Sequence, residues 1–118
     1  DYLKQRKQFG KLIGEFQALQ HRAAHLYSEV EIARAVTIKA AQLLDGESEK
    51  AELMASVAKA KVARAAGLAV REGVQMHGGI GMTDEYDIGL YMKRDRALQE
   101  FLGDQYYHAG RVAELSGY

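Results

Sequence analysis

Two short stretches of this chain combine residue types that could hold a phosphorylated ligand. The first runs from Tyr2 to Gly10, and in it Arg6 stands just before Gln8 and Phe9. The guanidinium group of an arginine offers a planar fork of donors that suits a diphosphate. The same residue types are also typical of a solvated charge and of a buried aromatic ring. The pattern by itself leaves both interpretations open for Arg6 and Phe9.

The second stretch, from Gln75 to Glu85, contains the pattern Gln-x-x-Gly-Gly-x-Gly. Its glycines Gly78 and Gly79 could end a helix for conformational reasons alone. They could also let a ligand approach the backbone closely, beside the amide group of Gln75. No strand is predicted before them, which argues against a Rossmann phosphate loop. We interpret His77 as a packing residue at the end of a helix.

Histidine pairs are candidates for a metal site, and the chain has four histidines and no cysteine. His21 and His25 lie four residues apart and would share one side of a helix. A zinc-protease motif needs a glutamate directly after the first histidine, but Arg22 stands there. We therefore predict no metal site.

Together, and in this order, the two stretches resemble the C-terminal helical domain of the acyl-CoA dehydrogenases. The resemblance covers nearly the whole chain and implies FAD as the cofactor. In the family, the glycine turn lies against the adenosine diphosphate part of a flavin held mainly by another subunit. Seven residues are implied as cofactor contacts: Arg6, Gln8, Phe9, Gln17, Gln75, Gly78 and Gly79. For Gln17, an exposed glutamine on a helix stays open as the alternative.

The resemblance also exposes a departure at the catalytic position. Many members carry Glu-Gly-Thr or Glu-Gly-Ser there, whereas this chain has Gly103-Asp104-Gln105. Three explanations stay open: Asp104 is a displaced base, an earlier helix supplies the base, or an active partner subunit does. The alternative for Asp104 is an N-cap of the following helix. We favour the cap, because aspartate before a helix is common for that reason alone.

By resemblance, the function is α,β-desaturation of an acyl-CoA thioester in fatty acid metabolism. We expect an FAD-dependent oxidoreductase that forms a homotetramer or heterotetramer through this domain and passes electrons to a partner protein. The fragment alone should be inactive. A non-catalytic, flavin-binding partner subunit of a heteromeric acyl-CoA dehydrogenase is the alternative, motivated by Gly103. A helical interaction module without flavin is a third hypothesis.

Composition limits the other function classes. The 16 basic and 16 acidic side chains cancel, which argues against nucleic acid as a partner. No apolar run approaches the roughly 20 residues of a membrane span, and no signal peptide is recognisable. The absence of cysteine fits a reducing compartment, and we expect a cytoplasmic location. The chain opens without a methionine in a segment that resembles helix. We interpret residues 1–118 as a single domain, the C-terminal fragment of a longer chain.

The elements that position these residues are predicted to be helices only. Proline is absent, and good helix formers are abundant. The pattern predicts an all-α, up-and-down four-helix bundle without strands. Its two long antiparallel helices cover about 14–44 and 49–76, and shorter helices cover about 86–96 and 104–115. Residues 1–8 are predicted to be the last turns of an earlier helix.

Apolar residues recur at steps of three and four along both long helices, as expected for one buried stripe each. Gly46 is predicted to end the first helix, and Ser48 to cap the second. The second stripe consists mostly of small residues, so that a neighbouring helix can approach closely. The first stripe comprises Phe16, Leu19, Ala23, Leu26, Val30, Ala33, Thr37, Ala40 and Leu44, and the second comprises Met54, Ala58, Val62, Ala65, Ala69, Gly73 and Met76.

Overall fold

The computed structural model describes all residues from 1 to 118 and confirms the all-α fold class with long antiparallel helices. Four α-helices follow one another along the chain. They are α1 (Gln17–Asp45), α2 (Ala51–His77), α3 (Ile88–Glu100) and α4 (Gln105–Leu115). The four helices predicted after residue 8 correspond to these four, with ends that differ by a few residues.

The ends of the helices agree with the capping residues predicted from the sequence in some places and differ from them in others. Gly46 directly follows α1, as predicted. Ser48 does not cap α2: the N-cap position is Lys50, whose side chain makes no capping hydrogen bond. The Ser48 hydroxyl instead accepts a hydrogen bond from the Lys50 backbone N–H at 3.3 Å, inside the turn. The third helix continues to Glu100, past the predicted end near residue 96.

The prediction of helix for residues 1–8 is wrong. Only Tyr2–Lys4 forms a single 3-10 turn. The residues after it form a small hairpin, in which β1 (Lys7–Gln8) pairs antiparallel with β2 (Lys11–Leu12). The bundle is therefore not free of strands. The two residues between the strands, Phe9 and Gly10, have φ values of 54° and 79°. Positive φ at both central positions is what a tight hairpin turn of two residues requires.

Ion pairs fix the register of the long helices. Arg22, near the start of α1, pairs with Glu72, near the end of α2, at 2.6 Å. Glu29 pairs with Lys61 at 2.7 Å, further along both helices. The two helices are therefore antiparallel.

The predicted apolar stripe of α1 is shielded only in part. Ala33 is buried and Leu26 is half-buried, whereas Val30, Thr37 and Leu44 are exposed. The reason is that α1 packs chiefly on one neighbour, α2, so that only a narrow band of its surface is covered.

Helix α2 is the centre of the molecule, because α1, α3 and α4 all pack on it. The Lys59 ammonium group on α2 donates a hydrogen bond of 2.8 Å to the carbonyl oxygen of Leu98 at the end of α3. Arg111 on α4 forms an ion pair with Glu52 in the first turn of α2. The result is an elongated body of 56 × 26 × 25 Å.

Small residues dominate the interior. Only 8 of 118 residues are buried, and Ile13 is the largest of them. Many large apolar side chains on the outer helix faces stay exposed, among them Tyr27, Ile38, Leu90 and Tyr106. Small side chains let the helices approach closely. The exposed large side chains form an apolar surface that is available for contact with other protein. None of the helices is both long and apolar enough to span a membrane.

Candidate functional site

A cleft of about 630 Å³ lies between the N-terminal hairpin, the start of α1 and the end of α2. Both sequence stretches contribute to its walls. Six of the seven predicted cofactor contacts line it: Arg6, Gln8, Phe9, Gln75, Gly78 and Gly79. The fold thus brings together residues that the sequence keeps far apart.

The hairpin presents Phe9 at its tip. The Phe9 side chain is 90% exposed, so that this ring is not part of the domain's core. It meets the edge of the Phe16 ring, with the two centroids 6.1 Å apart. The Lys11 ammonium group lies 4.3 Å from the centroid of Phe16. A positive φ is unusual for a bulky residue, and such conformations concentrate at functional sites.

Arg6 brings a positive charge to the same wall. Backbone hydrogen bonds hold it on both sides: its N–H donates to the Tyr2 carbonyl oxygen, and its carbonyl oxygen accepts from the Ile13 N–H, both at 2.9 Å. Its side chain is exposed and takes part in none of the six ion pairs. The guanidinium donors of Arg6 are therefore free to bind an anion.

The opposite wall is formed by the end of α2. Gly78 has φ 67° and ψ −147°, a backbone conformation that essentially only glycine adopts. No heavy atom lies within 4 Å of the place where a Cβ of Gly78 or Gly79 would be. The backbone is consequently accessible at this turn. Gln75, one turn earlier in the helix, is exposed as well.

Gln17 is the one predicted contact outside the cleft lining. It is the first residue of α1 and is exposed, while its neighbours Phe16 and Ala18 do line the cleft. The structure therefore leaves the alternative of an exposed helix glutamine open for Gln17.

His77 packs in an aromatic cluster with Tyr2 and Tyr86, as expected for a packing residue at a helix end, but its two tyrosine partners were not predicted. The rings of Tyr2 and His77 stack with centroids 4.4 Å apart, and Tyr86 packs near both rings. The His77 Nδ1 atom lies 2.7 Å from the carbonyl oxygen of Gly73, which fixes the orientation of the ring. Tyr2 and His77 also line the cleft. The only indication of this in the sequence is that Tyr2 and His77 each lie within one of the two stretches.

Asp104 stands at the N-cap of α4 and does not line the cleft. Its Oδ1 atom accepts hydrogen bonds from the backbone N–H groups of Tyr106 at 2.9 Å and Tyr107 at 2.8 Å. This is the capping arrangement that the sequence favoured. No group of three histidine, cysteine, aspartate or glutamate side chains is arranged to hold a metal ion.

Ion pairs between helices shift the pKa values of three side chains, Glu29, Arg22 and Arg111. The hydrogen bond from Lys61 lowers the pKa of Glu29, and the nearby charges of Arg64 and His25 add to the effect. Carboxylate partners raise the pKa of Arg22 and of Arg111, chiefly through hydrogen bonds. These groups stabilise the bundle and are not arranged as an acid–base pair.

Comparison with known proteins now identifies the family. Residues 1–116 match the family model of the acyl-CoA dehydrogenase C-terminal domain. The chain belongs to the acyl-CoA dehydrogenase family. It is 42% identical to the acyl-CoA dehydrogenase IpdE2 of Mycolicibacterium smegmatis over 102 residues, which are 86% of this chain and 31% of that protein. The resemblance inferred from the two sequence stretches is thereby confirmed.

Other relatives give the same result. The mitochondrial short/branched chain specific acyl-CoA dehydrogenase of Bos taurus is 38% identical over 92 residues, covering 78% of this chain and 21% of that protein. The chain thus spans less than a third of the length of these two relatives.

Solved structures have the same fold as this chain. Butyryl-CoA dehydrogenase from Megasphaera elsdenii superimposes with a TM-score of 0.91 at 28% identity, over 98% of this chain and 30% of that one. An FAD complex of PigA gives a TM-score of 0.91 at 25% identity, again over 98% of this chain and 30% of that one.

Proposed function

We propose that residues 1–118 are the C-terminal domain of a longer FAD-dependent acyl-CoA dehydrogenase that desaturates an acyl-CoA thioester between its α and β carbons. Membership of the family supports the class of reaction. The assignment to this chain rests on one observation, which is that both sequence stretches line the same cleft.

The residues of the cleft fit a dinucleotide cofactor. The guanidinium group of Arg6 supplies donors for a diphosphate, which a planar fork of N–H groups binds in two places at once. Accessible backbone at Gly78 and Gly79 allows close approach, and the amide groups of Gln8 and Gln75 add neutral hydrogen-bonding groups. Phe9 provides an exposed apolar surface beside them.

The part of this domain in the reaction is binding and orientation. A bound flavin supplies the acceptor for the β-hydride. Arg6, the Gly78–Gly79 turn and the hairpin would hold its nucleotide end, so that the reactive ring is placed by contacts remote from it. No group in the cleft is proposed to accept the α-proton.

The exposed apolar side chains of the outer helix faces support oligomer formation through this domain, in a homotetramer or a heterotetramer. We also propose an electron-accepting partner protein. The reason is that a reduced flavin must pass its electrons on before the next turnover. The cytoplasmic location is proposed on the cysteine-free sequence alone.

A second candidate function is that of a flavin-binding partner subunit whose active mate carries out the chemistry. It is favoured by one observation: the chain has Gly103-Asp104-Gln105 at the place where the resemblance implies Glu-Gly-Thr or Glu-Gly-Ser. Both candidates use the same cleft, and they differ only in where the proton acceptor lies.

Flavin content and flavin reduction together test these proposals. The purified full-length chain should stay yellow after extensive dialysis and should bleach anaerobically when it is mixed with one or more members of a series of straight-chain and branched-chain acyl-CoA thioesters. A colourless protein that binds no added FAD would reject the flavin assignment. A yellow protein that bleaches only after addition of a paralogous subunit would favour the partner-subunit function.

A further inference from the structure

The loop between α3 and α4, residues Phe101–Asp104, has an unusual backbone. Leu102 and Gly103 both have positive φ, 61° and 97° respectively. Leucine is uncommon in this left-handed region, and the φ of Gly103 suits glycine far better than any residue with a Cβ. Such a conformation persists only where its surroundings hold it in place.

The Tyr107 ring occupies the space beside Gly103. A Cβ added to Gly103 would lie 2.5 Å from the Cδ1 atom and 3.1 Å from the Cε1 atom of Tyr107. It would also lie 3.2 Å from the Nε2 atom of His108. The two aromatic rings support each other edge to face, with centroids 5.1 Å apart and planes at 89°. A side chain at position 103 would therefore meet two rings that pack against each other.

His108 holds the loop through a hydrogen bond. Its Nε2 atom lies 2.9 Å from the carbonyl oxygen of Leu102, so that Nε2–H is the donor. Its Nδ1 atom is buried and has no hydrogen-bond partner. With its proton on Nε2, the ring keeps the contact with Leu102 and needs no acceptor beside Nδ1. The Asp104 cap then fixes the chain directly after the loop.

We propose that Tyr107 and His108 are positioning residues that lock the Phe101–Asp104 loop in a form that accepts only glycine at position 103. The inference rests on the proposed function and sharpens it. The resemblance implies that this loop stands where many members of the family carry the proton-accepting glutamate. Locked in this form, the loop would present no carboxylate from position 103. The α-proton acceptor must then come from outside residues 101–104, since Asp104 is used as a cap.

A double-mutant cycle in the full-length chain tests the contact between Gly103 and Tyr107. Gly103→Ala should lower the melting temperature by several degrees. The same change should lower it clearly less when Tyr107→Ala is already present, because the ring that meets the new Cβ is gone. Equal losses in both backgrounds would overturn the proposed contact.

A matched pair of variants tests His108. In His108→Gln, the side-chain amide N–H₂ can reach the place of the ring Nε2–H. In His108→Asn, the side chain is shorter, and its amide N–H₂ cannot reach that place. We expect His108→Gln to melt close to the unmodified protein, and His108→Asn to melt several degrees lower. Equal melting temperatures of the two variants would contradict the role of the Nε2–H donor.

Flavin reduction tests the functional consequence. Gly103→Glu restores the usual carboxylate, but we expect it to lower the melting temperature and to leave the rate of anaerobic bleaching by the same acyl-CoA series no faster. A stable, FAD-loaded Gly103→Glu protein that bleaches faster than the unmodified one would overturn the inference. Failure of the proposed function would look different, because the unmodified chain would then hold no FAD.

Discussion

The ring of His77 stacks on the ring of Tyr2, with centroids 4.4 Å apart and planes inclined by 24°. This contact joins the first turn of the chain to the last residue of α2. Tyr86 packs edge-on against Tyr2 at 5.4 Å and lies 5.1 Å from His77. The two walls of the cleft are thus held together by aromatic packing, which sets their separation.

We expect Tyr2→Ala to weaken FAD binding although Tyr2 carries no charge for the diphosphate. An aromatic pair contributes about 0.5–1.5 kcal/mol beyond its buried area, and loss of the pair would let the hairpin move away from α2. The FAD dissociation constant should rise by up to roughly tenfold. Tyr2→Phe keeps the ring and serves as the control. Equal affinities of the two variants would argue against the aromatic contact.

The pair of Glu29 and Lys61 predicts a dependence of stability on pH. The pKa of Glu29 is lowered in the folded state, chiefly by the hydrogen bond from Lys61. The pair therefore stabilises the fold above the ordinary glutamate pKa of about 4.3, and this contribution is lost as the pH falls through the lower, folded-state value.

Glu29→Gln should consequently melt at a lower temperature than the unmodified protein at about pH 7, and the difference should shrink toward about pH 3. Thermal unfolding followed by circular dichroism across this range measures it. Glu31→Gln, which changes the exposed pair with Arg34, is the control and should have little effect. A difference that stays constant with pH would contradict the account of Glu29.

The variant Asp104→Asn distinguishes a helix-capping role of Asp104 from a catalytic role. Asparagine caps helices about as well as aspartate, so we expect a slightly lower melting temperature and a largely intact rate of flavin bleaching. Asp104→Ala should cost roughly 1 kcal/mol, since it leaves the N–H groups of Tyr106 and Tyr107 without their acceptor. A loss of bleaching rate beyond about a thousandfold in Asp104→Asn, with flavin still bound, would make Asp104 the catalytic carboxylate.

Close packing of the other helices on α2 depends on small residues. Ala65 is only 4% exposed. Ala65→Leu should destabilise the fold by roughly 1–3 kcal/mol, because the larger side chain would force the helices apart. Ala24→Leu adds the same volume at an exposed position of α1 and should change stability little. Chemical denaturation of both variants gives the comparison, and similar midpoints would count against a tight interface at Ala65.

Much of the fold could be predicted from the sequence, because helix-forming residues and apolar spacing extend over many turns of α1 and α2. The hairpin could not, since Lys7 and Gln8 carry no strand signal. Each strand has only two residues, and their pairing depends on the Phe9–Gly10 turn and on contacts with the start of α1. The error at Ser48 has a similar origin, because its hydroxyl satisfies a turn and not the first turn of the helix.

Most residues of the candidate site could be predicted from the sequence, but their arrangement in space could not. Arg6, Gln75 and the glycines were found through a resemblance, and the structure places them in one cleft. The stacking of Tyr2 on His77 could not be foreseen, because these two residues meet only after the chain has folded. The close approach of the Tyr107 ring to Gly103 is local, but it depends on the positive φ values of Leu102 and Gly103, which no sequence signal indicates.

Cofactor affinity of Arg6→Ala in the full-length chain tests the central claim most directly, with Arg34→Ala as a matched exposed arginine outside the cleft. A charge-assisted contact with a diphosphate contributes roughly 1.5–3 kcal/mol, so Arg6→Ala should weaken FAD binding by about one to two orders of magnitude. Arg34→Ala should leave it unchanged, and both variants should keep the helical circular dichroism of the unmodified protein. Unchanged FAD affinity in a folded Arg6→Ala protein would contradict the assignment of the cleft.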